Sequence, residues 1–147
     1  EHPAKRGLVR CSRSSEGTGT ADGMFGWIQT QNSTQNVPAS WATISFVNHE
    51  IAPLHYSILN SRGSAHSPRN WKLQALDKNG HWTDLATHVQ DSTLQHPKQP
   101  FVYRSIADPT RQLYSSFRVL QTGLDACDSN SLAMGGFEIY GFLAVRQ

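Results

Sequence analysis

The hydrophobic and polar positions of this chain alternate in short runs. From Trp71 the order Trp-Lys-Leu-Gln-Ala puts Trp71, Leu73 and Ala75 on one side and Lys72 and Gln74 on the other. A period of two is the mark of a strand with one buried face. Asn79-Gly80 follows, a pair suited to the tight turn of a hairpin, and Trp82 to His88 returns. The Asp77-Lys78 pair before that turn reads as solvated. The same alternation predicts strands at Leu8 to Cys11, Trp41 to Val47, Ile51 to Leu59 (interrupted early by Pro53), Phe101 to Ile106, Leu113 to Gln121 and Phe137 to Leu143. In the Leu113 strand, Phe117 and Val119 share a face and Arg118 points the other way. No apolar stripe at helical spacing is present. Gly17 to Ser40, Asn60 to Asn70, Gln95 to Gln99 and Gly123 to Ser131 read as polar loops, and Asp108-Pro109 as a turn. About eight short strands between polar loops predict an all-β antiparallel sandwich or jelly roll.

Composition narrows this picture. The 147 residues fit one domain, taken as residues 8–145 after a linker at 1–7. Only 16% of the residues are charged, which excludes a chain kept unfolded by self-repulsion. The formal net charge of +2 is too small to imply nucleic acid, and the basic cluster Lys5, Arg6, Arg10 and Arg13 reads as a solvated flank. No apolar run approaches the roughly 20 residues that span a bilayer. Cys11 and Cys127, the only cysteines, have no zinc-site spacing. Read as free thiols, they suit a reducing compartment, cytoplasmic or nuclear.

Catalytic signals are absent. The histidines lack metal-ligand spacing, and no nucleophile elbow or phosphate-cradling glycine loop occurs. His88 reads as a structural hydrogen-bonding group. Trp71 and Trp82 read as packing residues.

The ending "YSSFRVLQTG" from Tyr114 and "LAMGGFEIYGFL" from Leu132 resembles the closing strands of discoidin-like domains, also called factor V/VIII type C or galactose-binding-like domains. Arg69, Asn70, Trp71, Gly80, Trp82, Thr83, Leu85, His88, Asp91 and Leu94 resemble the intracellular branch, found in HECT-type ubiquitin ligases and BTB adaptors. The resemblance implies a non-catalytic, monomeric module whose long loops gather at one end of the sandwich and bind there. It would bring together Trp27, Arg62, His66, Arg69, Asp125, Asp128 and Asn130. An aromatic face, cationic donors and carboxylates in one place suit recognition. A protein or peptide partner, within a larger ubiquitin-ligase-like or scaffold protein, is the first expectation; a carbohydrate is the alternative. No cofactor is expected, except that some sugar-binding relatives hold a structural calcium, which Asp22 and Glu138 would match here.

Overall fold

The computed structural model describes residues 1–107 and 109–147; the expected Asp108-Pro109 turn falls outside it at Asp108. Among the described residues, eight strands and one short helix follow in chain order: β1 (Val9–Arg13), α1 (Ala21–Met24), β2 (Trp41–Phe46), β3 (His49–Leu59), β4 (Trp71–Leu76), β5 (Trp82–His88), β6 (Phe101–Ser105), β7 (Ser116–Gln121) and β8 (Gly136–Val145). They form a five-stranded sheet in the order β1-β2-β7-β4-β5 and a three-stranded sheet in the order β6-β3-β8. Every pairing is antiparallel.

Alternation places the core. Ala42 and Ile44 of β2, Leu73 and Ala75 of β4, and Phe117 and Val119 of β7 point inward, where they meet Tyr56 and Ile58 of β3 and Phe137 of β8. Trp71 is fully buried among them. A buried aromatic side chain supplies more apolar area than any aliphatic one, so a few rings can stabilise a chain with modest hydrophobic content.

Several expectations change. β3 runs unbroken through Pro53, because the register shifts between Pro53 and His55 and the bulge accommodates the missing N–H. Gly141 of β8 permits that approach: a Cβ there would lie 2.0 Å from the Ala52 carbonyl oxygen. In the β4–β5 hairpin only Gly80 has positive φ, at 80°. Asp77 is not merely solvated. Its Oδ1 accepts from the backbone N–H groups of Asn79 and His81, both at 2.9 Å, and so caps the turn. The basic flank also divides: Arg10 is exposed, but Arg13 points inward beside Val9 and its side chain is 1% exposed. Residues 2–7 form a hydrogen-bonded turn that lays Ala4 against the core.

Candidate functional site

Three polar loops meet at one end of the sandwich. Thr34 N–H donates to the Leu132 carbonyl at 2.9 Å, Arg62 N–H to the Thr30 carbonyl at 3.0 Å, and Ala126 N–H to the Ser67 carbonyl at 3.0 Å. Asn130 N–H donates to Asn36 Oδ1 at 2.7 Å. The convergence expected for the loops containing residues 22–36, 60–70 and 123–130 is therefore present, with the strands fixing where each loop starts and ends.

Two neighbouring clefts open there. One, of about 240 Å³, is lined by hydroxyl and amide groups, among them Thr18, Gln31, Ser33, Ser61 and Ser131, with His66 at its edge. The other, of about 390 Å³, is lined by Arg69, Asn70, Gln90, Asp125 and Asp128 and by the backbone around Gly123. His66 and Asp125 join the two. Asp125 is buried, and its Oδ1 accepts from the N–H groups of Cys127 at 2.8 Å and Ser129 at 3.0 Å. Its Oδ2 lies 2.8 Å from His66 Nδ1. Asp125 thus shapes its loop and orients the imidazole, whose Nε2 is left for an incoming group.

The other expected site residues divide. Arg69 and Asp128 line the second cleft, although the Arg69 guanidinium also donates to the Leu94 carbonyl. Asn130 fastens one loop to another. Arg62 is exposed and lines neither cleft. Trp27 is 64% exposed and Ile28 70%, on the segment that continues into Gln31 and Ser33. No Trp, Tyr or Phe lines either cleft. The hydroxyl residues of the first cleft went unmarked in the sequence, since serine and threonine are ordinary loop residues and only their convergence distinguishes them.

Asp22 and Glu138 have separate partners. Asp22 hydrogen-bonds the Cys11 thiol, which burial, reinforced by that carboxylate, pushes up to about 12. Glu138 accepts the Tyr140 hydroxyl proton on the outer face of the three-stranded sheet. Among the described residues, the His, Cys, Asp and Glu groups whose ligand atoms gather within 4.8 Å are His66, Asp125 and Cys127, and neither Asp22 nor Glu138 is among them. Calcium requires six or more oxygens. Near Asp22 the loop's oxygens already serve another cation. Arg13 Nη1 donates to the carbonyls of Thr18 and Ser33, both at 2.8 Å, while its Nη2 donates to the Gly19 carbonyl at 2.9 Å and to Glu16 Oε2 at 2.6 Å. Asn32 completes the loop, accepting from Thr20 N–H at 3.1 Å and donating to the Met134 carbonyl at 3.2 Å. Both cysteines are free thiols.

This architecture is shared. No protein-family model matches the chain. Among solved structures, CBM32-3 from a family 31 glycoside hydrolase of Clostridium perfringens superposes with a TM-score of 0.74 at 11% identity, over 92% of each chain. The family 32 carbohydrate-binding module of C. perfringens NanJ, in complex with galactose, gives 0.67 at 10% identity, over 91% of this chain and 94% of that one. Chitosan-binding module 1 from a chitosanase/glucanase of Paenibacillus sp. IK-5 gives 0.69 at 16% identity, over 91% of this chain and 96% of that one. The fold is therefore the discoidin-like, galactose-binding-like β-sandwich, and its structural neighbours are binding modules. In sequence, 95% of the chain is 32% identical to part of the E3 ubiquitin-protein ligase Ufd4 of Drosophila melanogaster, bearing out the likeness to the ubiquitin-ligase branch. The chain spans 5% of that relative's length.

Proposed function

We propose that this domain is a non-catalytic recognition module that holds a protein or peptide segment at its loop end, inside a larger, intracellular ubiquitin-ligase-like protein. The observation that carries the reading is the adjacent exposed pair Trp27 and Ile28, set on the same segment as cleft-lining Gln31 and Ser33. Large apolar side chains left in water beside a polar cleft suit an interface anchor surrounded by hydrogen-bonding groups. The strands hold the loops in place, so little ordering cost falls on binding. Changing Trp27 to Ala together with Ile28 to Ser should weaken partner binding at least about tenfold. Thermal stability should stay the same, because both side chains are exposed.

A second reading is carbohydrate binding, favoured by the hydroxyl-lined cleft and by neighbours of the same fold that carry sugar. It ranks second because no Trp, Tyr or Phe wall stands in either loop-end cleft to stack on a sugar ring. The test has two arms. A photoreactive side chain at position 27 of the full-length protein should crosslink to a protein partner. Amide NMR titration of the domain with galactose and chitosan oligomers should leave the loop resonances unmoved. Shifts confined to the residues around His66 and Gln31, with no protein crosslink, would replace the first reading by the second.

A further inference from the structure

The outer face of the five-stranded sheet carries a row of polar side chains set by strand register. Ser12 pairs with Thr43, Thr43 with Arg118, Arg118 with Gln74, and Gln74 with Asp84. Arg118 donates from Nε and Nη2 to Gln74 Oε1, at 2.9 and 2.6 Å. Gln74 Nε2 donates to Asp84 Oδ1 at 2.8 Å, and Lys72 Nζ holds Asp84 Oδ2 at 2.8 Å. The Arg118 guanidinium lies 4.3 Å over the Trp82 ring. Nη1 of Arg118 has no partner among the described residues.

Trp41 stands across from this stack. Ser12, Thr43, Trp41, Trp82 and Arg118 line an open cleft of about 310 Å³. A second cleft of about 390 Å³ continues along the same strands, with Arg10 and Arg146 at its sides and Ser45, Ser116 and Leu76 among its lining. Among the described residues, neither lining contains a carboxylate. Arg10, Arg118 and Arg146 form no salt bridge among the described residues.

We infer that this face is a second binding surface, distinct from the loop end, for an extended acidic peptide. None of these three guanidiniums is held by a carboxylate within 4 Å, so they call for carboxylates: Arg10 and Arg146 can each offer two parallel N–H donors, while Arg118, whose Nε and Nη2 serve Gln74, offers Nη1 alone. Trp41 and Leu76 offer apolar contact between the charges. The run from Trp41 to Phe46 measures about 17 Å at roughly 3.3 Å per residue, room for five or six extended residues. A peptide alternating Asp or Glu with apolar residues matches that order of donors and apolar walls. A single-stranded nucleic acid fits less well, because it needs successive open aromatic platforms and the Trp82 face is already covered by Arg118.

The test uses a fluorescein-labelled decapeptide of alternating Asp and Leu, with a Lys-for-Asp control, a ten-nucleotide oligo-dT and glucuronic acid. The acidic peptide should bind and move the Trp41 and Trp82 indole signals and the Ser12 and Thr43 amides. Added salt should weaken the binding. Arg118→Gln should weaken it about tenfold, the loss of one charge-assisted contact. Thr43→Glu puts a carboxylate beside Arg118 at a half-buried position on the outer face of the sheet, away from the core, and should abolish binding. The Trp27 and Ile28 changes should have no effect here, which separates this surface from the loop end. Four results would overturn the inference: no shifts at millimolar peptide, equal binding of the lysine control, indifference to Thr43→Glu, or tighter binding of oligo-dT or glucuronic acid.

Discussion

Arg13→Met should lower the unfolding free energy by about 3 kcal/mol, since charge-assisted hydrogen bonds contribute roughly 1.5–3 kcal/mol each and water can restore only part of what is lost. For a domain of this size that corresponds to a fall in Tm of about 10 °C. The reason lies in what Arg13 holds. Its side chain enters the sandwich from the end of β1 and ties down three carbonyls from two separate stretches of the loop, residues 18–19 and residue 33. Without it those oxygens have no common partner, and the stretch leading to Gln31 and Ser33 loses its anchor. Hydrogen exchange should therefore quicken in residues 14–36 while the β4–β7 amides stay protected. Arg13→Lys should fall between, because an ammonium keeps the charge but cannot span the same set of carbonyls. The same argument predicts that calcium or a chelator leaves the wild-type Tm unchanged, since a guanidinium already serves the loop's oxygens. A rise of several degrees in millimolar calcium would show that a metal ion organises this loop.

Arg13 also shows where sequence reading succeeds and where it stops. The eight strands are legible because alternation, clear in β2, β4 and β7, and turn residues between short runs are local signals, and each strand is only five to eleven residues long. The four-residue α1 left no stripe to read. The run of β3 through Pro53 depends on a bulge that only the pairing with β8 reveals. For Arg13 a clue existed: Val9, Cys11 and Arg13 alternate onto one face, so an arginine on the buried side of a strand, entering a loop rich in Gly, Ser and Thr, needed acceptors. Grouping it with Lys5, Arg6 and Arg10 by charge alone hid that. The meeting of the loops was legible through the family resemblance, whereas which side chains face the clefts was not. His66 and Asp125 lie 59 positions apart, and nothing local marks them as partners. The row on the outer sheet face is harder still, as it draws one residue from each of five strands and exists only once register is known.

Acid should unfold this domain in two stages, and the first should trace to His88. The network around it has only one consistent proton arrangement. Trp71 Nε1–H can only donate, and it lies 3.3 Å from the Tyr56 hydroxyl oxygen. The hydroxyl proton is thereby left for His88 Nε2, its other partner. That nitrogen must be an unprotonated acceptor, so His88 Nδ1 carries the proton and donates to Asp91 Oδ2 at 2.9 Å. The ring also stacks on Trp71, centroids 4.1 Å apart. Burial pushes the His88 pKa below its ordinary value, and the nearby Asp91 only partly opposes this. Burial alone would raise Asp91, but hydrogen bonds from Thr93, His88 and Arg104 outweigh it and hold that carboxyl far below the usual range. Both groups therefore bind protons more readily in the unfolded chain, so stability rises with pH wherever they titrate. The His88 contribution is complete above the unfolded value of about 6.5 and is lost as pH falls through the lower folded value. The Asp91 contribution is complete above about 4 and is lost at more acid pH. Urea unfolding followed from pH 8 to pH 3 should show the upper stage and the onset of the lower. Tyr56→Phe removes the hydroxyl that keeps Nε2 unprotonated and leaves the Trp71 N–H without a partner. It should cost about 2 kcal/mol at pH 8 and leave the upper stage in place, because the burial that depresses His88 remains. His88→Ala should cost about 3 kcal/mol at pH 8, through the lost stacking as well as the lost hydrogen bonds, and should abolish the upper stage while only reducing the lower, because Thr93 and Arg104 still hold Asp91. An upper stage that survives His88→Ala would assign it to another histidine and leave the Tyr56–His88–Asp91 chain without a role in the pH response.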